Sequence, residues 1–207
     1  MVRRVRTAQD ATEKRERRSF ASWPPGRAVG DSVESDSNVT LAETIRTRLR
    51  LLTAADAPFI RDLLNQPSFL RYIGDRHVRT ADEASHFIDS RYMQSYRDHG
   101  YGLWVVESRA SAEPMGICGF VRRETLPDVD MGFAFLPQYE GQGFAFEAAD
   151  AALRYGRDAL GLTRVLAIAQ MDNARSHTLL ARLGFQFDSL LTLPGETDPL
   201  QLFVNHL

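Results

Sequence analysis

The chain has 207 residues, a formal net charge of −2 and 43% hydrophobic residues. That is enough apolar material for one packed domain with an extension, and the near-neutral balance argues against nucleic acid as a partner. The single cysteine, Cys118, excludes an intramolecular disulfide and fits a reducing compartment, and no apolar run reaches membrane-spanning length, so a cytoplasmic protein without membrane contact is expected.

Residues 1–39 differ from the rest. Arg3, Arg4, Arg6, Lys14, Arg15, Arg17 and Arg18 crowd the start, and Pro24-Pro25-Gly26 and the polar run 32–38 read as linker. Without sustained apolar periodicity the segment is expected to be a disordered basic and polar extension. A basic tethering arm is a second reading. Asp10, Glu13 and Glu16 argue against an organelle transit segment, which avoids acids. A single domain is expected over residues 44–207.

In that domain Thr44 to Leu52 alternates Ile45, Leu49 and Leu51 against Arg46, Arg48 and Arg50, which predicts a strand. Thr53 to Asp56 is a short capping box opening a helix that buries Phe59, Ile60, Leu63 and Leu64. Pro67 follows, with a short helical piece to Tyr72. Thr80 and Glu83 form a fuller capping box before a helix with Ala84, Phe87, Ile88, Tyr92 and Tyr96 inward, ended by Gly100. Strands are predicted at 101–107 and 114–122, joined by a hairpin turn; Cys118 lies in the second and reads as a small core hydrophobe.

A third strand is predicted at 129–136, stopped by Pro137. Gly141 and Gly143 then bend the backbone before a helix from Phe144 to about Leu160, capped by Gly161. Ala145, Ala148, Ala149, Ala152 and Leu153 share its buried face. A helix that starts on such a turn aims free N–H groups at whatever lies there, which suits a phosphate. The turn is not a P-loop, because Lys14 is the only lysine in the chain, and it is not a dinucleotide fingerprint, because Phe146 stands where the third glycine belongs. A strand at 163–169, a helix from Asn173 to Leu183 capped by Gly184, and strands at 185–191 and 200–207 complete the chain. The fold class is α/β: a mixed sheet flanked by helices, with a central parallel pair at 129–136 and 163–169.

The run Gln138-Tyr-Glu-Gly-Gln-Gly-Phe-Ala145, followed by Glu147-Ala148, resembles the acetyl-CoA pyrophosphate loop of the GNAT N-acetyltransferase superfamily. Gly143 and Ala145 match the fourth and sixth positions of its Gln/Arg-x-x-Gly-x-Gly/Ala motif; Glu140 departs at the first. Asp172-Asn173-Ala174-Arg175-Ser176 and then Leu183-Gly184-Phe185 resemble a second family motif, and the resemblance is nearest to the branch that acetylates ribosomal-protein N-termini. It implies a twisted sheet of about seven strands, splayed between the parallel pair, and acetyl-CoA as donor. Phe135, Leu136, Gly141, Gln142, Gly143, Phe144, Ala145, Asn173 and Ser176 would bind that cofactor. The acceptor, a small-molecule or peptide amine, would meet Arg71, Tyr72, Asp75 and Arg76. The protein would be a monomer or homodimer.

Acetyl transfer to an amine needs a base, a polarised carbonyl and a proton for the leaving thiolate. Asp130 and Glu124 are the candidate bases, and backbone N–H groups of 133–136 the candidates for polarising the carbonyl. Leu180 occupies the position of the tyrosine that many relatives use as acid, so Ser176 is the substitute. Ser176-His177 is no hydrolase pair, since adjacent helical residues point apart. None of the five histidines has metal-ligand spacing, so no metal site is expected. Two alternatives stay open: a non-catalytic acyl-CoA-binding module, and a hydrolase acylated at Ser176.

Overall fold

The computed structural model describes residues 39–207. The expected disordered extension at 1–39 lies outside the described residues, Val39 apart. The strands are β1 (Thr40–Glu43), β2 (Thr47–Arg50), β3 (Leu103–Ser108), β4 (Pro114–Val121), β5 (Asp130–Phe135), β6 (Arg164–Gln170), β7 (Gln186–Leu191) and β8 (Leu200–His206). The helices are α1 (Ala57–Leu64), α2 (Pro67–Tyr72), α3 (Ala81–Phe87), α4 (Gln94–His99), α5 (Phe144–Asp158) and α6 (Ala174–Arg182). Together they form an α/β fold: one eight-stranded mixed sheet, ordered β1-β2-β3-β4-β5-β6-β8-β7, with helices against it.

The eighth strand comes from a departure at the N-terminal edge. The strand expected at 44–52 forms over Thr47–Arg50, residues 44–46 turn the chain, and an unexpected strand at Thr40–Glu43 pairs with it as a hairpin. The Thr44 hydroxyl accepts the Thr47 N–H at 2.8 Å, and the Thr44 N–H donates to the Thr47 carbonyl at 2.9 Å, a side-chain-assisted turn that apolar alternation does not reveal. Ile45, expected inward, sits at the tip and is 90% exposed, whereas Leu49 is fully buried.

Both capping boxes form. Asp56 accepts the Thr53 N–H at 2.8 Å, and Glu83 accepts the Thr80 N–H at 2.9 Å while its own N–H donates to the Thr80 hydroxyl. Between α3 and α4 the helix widens into a π segment, Ile88–Met93. Ala84, Ile88, Tyr92 and Tyr96 are all buried and recur every four residues. At about 100° per residue an α-helix would drift about 40° per step, and the wider turn keeps the stripe facing the sheet. Gly100, at φ 73°, ends the helix in the left-handed conformation.

Under α5 the core is aromatic. Trp104 meets Phe120 and Tyr155 edge to face, with centroids at 5.7 and 5.4 Å. The buried alanines Ala148, Ala149 and Ala152 let the helix lie close to the sheet. Near the β1 edge Arg50 reaches Glu107 at 2.7 Å and Asp56 at 2.8 Å, and both carboxylates are nearly inaccessible.

Candidate active site

The parallel pair frames the site. Among the described residues β5 and β6 meet at one register pair, Asp130 with Leu166, where the Leu166 N–H donates to the Val129 carbonyl at 2.9 Å. Beyond it toward Phe135 the strands part. On the other side β5 pairs with β4 along its whole length. The Leu136 N–H donates to the Met115 carbonyl at 2.9 Å. Alternation along an antiparallel ladder then turns the Phe133 and Phe135 N–H groups toward the gap. Of the run 133–136, Ala134 and Leu136 have no N–H to offer the carbonyl of a ligand in the gap.

The loop after β5 closes the same end. Gly141 and Gly143 have φ of 72° and 84°, and a side chain on Gly141 would meet nothing within 4 Å. Gly143 is the N-cap of α5 and has no side chain with which to cap it. The first intrahelical bond runs from the Glu147 N–H to the Gly143 carbonyl, so the N–H groups of Phe144, Ala145 and Phe146 have no helical acceptor. Open backbone, free donors and the positive end of a fifteen-residue helix suit a diphosphate.

The helix after β6 starts differently. Asn173 Oδ1 accepts the Ser176 N–H at 3.1 Å, so α6 caps itself and the Asn173 amide NH₂ is left to donate. Ser176 is half-buried on the first turn, and its hydroxyl makes no bond among the described residues. Arg175 on that turn ion-pairs with Glu140, which links the glycine loop to α6 and gives the unexpected acid at position 140 a partner.

The two candidate bases differ sharply. Glu124 is exposed and makes no bond among the described residues. Asp130 is 1% exposed. Burial drives its carboxyl above the ordinary range, and the charge and hydrogen bonds of Arg123 offset only part of that. Tyr101, half-buried, is near enough for the charges of Arg122 and Asp130 to act on its phenol. Asp130 lies level with Leu166 on the parallel pair, whereas Ser176 lies on the first turn of α6, beyond the end of β6 at Gln170.

The expected acceptor residues are mostly engaged with each other or with neighbours. Arg71 donates to Asp172 at 2.6 Å, joining α2 to the turn before Asn173, and its guanidinium lies 5.1 Å from the centre of the Tyr72 ring. Asp75 pairs with Arg79 and accepts the His77 N–H at 2.7 Å, which lowers its carboxyl to about 2. Arg76 donates to the Ile73 carbonyl at 3.3 Å.

Comparison with known proteins matches this geometry to a family. Residues 46–186 match the model of the acetyltransferase (GNAT) domain. The chain is 30% identical over 152 residues to the uncharacterized N-acetyltransferase YoaA of Bacillus subtilis, covering 73% of this chain and 85% of that one. The chain belongs to the GNAT acetyltransferase family.

Within the family, the chain is 36% identical over 88 residues to the ribosomal protein uS5-alanine N-acetyltransferase of Escherichia coli, covering 42% and 44% of the two chains. The crystal structure of an acetyltransferase from Agrobacterium tumefaciens superposes with a TM-score of 0.69 at 23% identity, covering 83% of this chain and 96% of that one. As a GNAT enzyme the protein is an N-acetyltransferase, and acetyl-CoA is the acetyl donor of its family. Among the described residues no cluster of His, Cys, Asp and Glu is arranged to hold a metal ion, and no helix is long and apolar enough to cross a membrane. Sequence reasoning missed Thr44, Arg46 and Tyr101. Only the Glu147-Ala148 pair in the loop motif pointed toward the partner of Thr44 and Arg46.

Proposed function

We propose that the enzyme moves an acetyl group from acetyl-CoA directly to a primary amine, on a small molecule or a protein N-terminus. The observation that carries this reading is the divergence of β5 and β6 immediately after Asp130 and Leu166. It opens a slot with backbone donors on one wall and a free helix N-terminus at its mouth. From Asp130 to Phe135 is about 17 Å of strand, which suits an extended cofactor lying along β5 with its phosphates at the loop.

The residues present fit acetyl-CoA. The N–H groups of Gly143 to Phe146 would take the diphosphate, and Asn173 the amides of the pantetheine arm. When bound, the cofactor supplies a thioester acyl group. The N–H of Phe133 or of Phe135, about 7 Å apart along β5, would donate to the carbonyl oxygen on which negative charge grows. Asp130 would take the proton of the acceptor ammonium; it is the buried one of the two candidate carboxylates, and burial raises its pKa. The Ser176 hydroxyl would be the proton donor for the departing thiolate. Arg71, Tyr72, Asp75 and Arg76 border the acceptor's approach.

Calorimetric titration with acetyl-CoA, followed by CoA release in the presence of a panel of amines, tests this. Wild-type protein should bind acetyl-CoA, and Asp130→Asn and Ser176→Ala should keep binding while slowing release. No wild-type binding would sink the reading, and undiminished release by both variants would remove the assigned roles.

A further inference from the structure

We propose that Arg46, on the β1–β2 turn, is a positioning residue for the phosphate-binding loop and acts by neutralising Glu147 on the first turn of α5. The inference rests on the acetyl-CoA reading above. Glu147 accepts the Arg46 main-chain N–H at 2.8 Å, the Arg46 Nε at 2.7 Å and the Thr44 hydroxyl. Burial alone would raise the Glu147 carboxyl; these bonds outweigh it and hold the carboxyl below its usual range. The glutamate is therefore ionised, one turn from the N–H groups that would receive a diphosphate. Without a counter-charge it would oppose that anion.

Arg46 does more than fasten the hairpin to the helix. Two of the contacts, from the Thr44 hydroxyl and the Arg46 main chain, would suffice for that. The guanidinium continues past the glutamate to the loop: Nη1 donates to the Gln142 carbonyl at 3.1 Å, and the group lies 4.4 Å over the Phe144 ring. A side chain on Gly143 would come within 3.4 Å of Nη2. The charge of Arg46 thus lies between the carboxylate and the loop backbone. Glu140 occupies the motif position where the family usually has glutamine or arginine, so no side chain at that position brings positive charge. Arg46 brings it from a strand hairpin 94 residues earlier in the chain.

The test is calorimetric titration of acetyl-CoA into wild-type protein, R46M, R46K and R46M/E147Q, with thermal unfolding of each. R46M should weaken binding about tenfold or more while remaining folded. R46K should regain part of the loss, and R46M/E147Q should bind more tightly than R46M, because the uncompensated carboxylate is gone. This recovery is the readout that a purely structural brace would not produce. Unchanged affinity in R46M, or a double variant no better than R46M, would overturn the proposal. If R46M does not fold, R46Q and R46Q/E147Q carry the same comparison. Absence of binding by the wild type would instead strike the acetyl-CoA reading itself, before Arg46 is tested.

Discussion

The Nε of Arg123 lies 3.1 Å from both carboxylate oxygens of Asp130, at the point where β5 and β6 begin to part. The pair sets two opposing influences on one group: burial favours the protonated acid and the guanidinium favours the carboxylate. Burial is the larger, so the carboxyl titrates above the usual aspartate range. As a base Asp130 must be ionised. The transfer rate should therefore fall, as pH falls, at a higher pH than an unperturbed aspartate would give. A pH–rate profile of kcat/KM should show this limb in the wild type and lose it in Asp130→Asn.

The same shift has a consequence for stability. The folded state holds this proton more tightly than the unfolded chain does. The group's contribution to stability is fully present below the unfolded pKa and is lost as pH rises through the folded pKa. This is the reverse of an ordinary ion-paired aspartate. Comparing thermal unfolding of wild type and Asp130→Asn between about pH 4 and pH 8 checks the sign: the wild type should lose ground to the variant as pH rises.

The two loop glycines should respond differently to substitution. Gly141→Ala meets no neighbour and costs only the left-handed backbone, about 1–2 kcal/mol. Gly143→Asp adds a negative charge at the phosphate position and crowds Arg46. Acetyl-CoA affinity should fall by about tenfold in the first and be lost in the second, read by calorimetry.

Arg50 bridges the buried carboxylates of Glu107 and Asp56. Arg50→Met leaves both without their main counter-charge, although Arg48 still reaches Glu107 at 3.1 Å. Breaking a buried pair from one side costs about 3–5 kcal/mol. Urea denaturation should show a loss of that size.

Gly156 lies inside α5, where alanine would favour the helix by about 1 kcal/mol. A methyl group there would come 2.7 Å from the Phe120 ring, which is fully buried. Overpacking costs about 1–3 kcal/mol, so Gly156→Ala should lower the unfolding temperature. Gly156→Ala with Phe120→Leu should recover part of the loss relative to Phe120→Leu alone, because the double variant makes room for the methyl.

What the sequence by itself determined is local. Capping boxes at Thr53 and Thr80, the Asn173 cap, the left-handed glycines and the apolar stripe of α5 act within a few residues, so they are legible without a partner. They located the glycine loop before α5 and most elements of the fold. Even here a local contact was missed: the Thr44 turn, made by a hydroxyl, broke an alternation that looked continuous.

Only the tertiary structure decided which of these pieces meet. Strand order places Arg46 against Glu147 and Arg71 against Asp172, each pair 101 residues apart. The single register pair between β5 and β6 decides which N–H groups face the gap, and burial shifts the Asp130 carboxyl. Charge and polarity are written in each residue. Desolvation and distance are not, because they depend on neighbours that the chain brings together only when the sheet has formed.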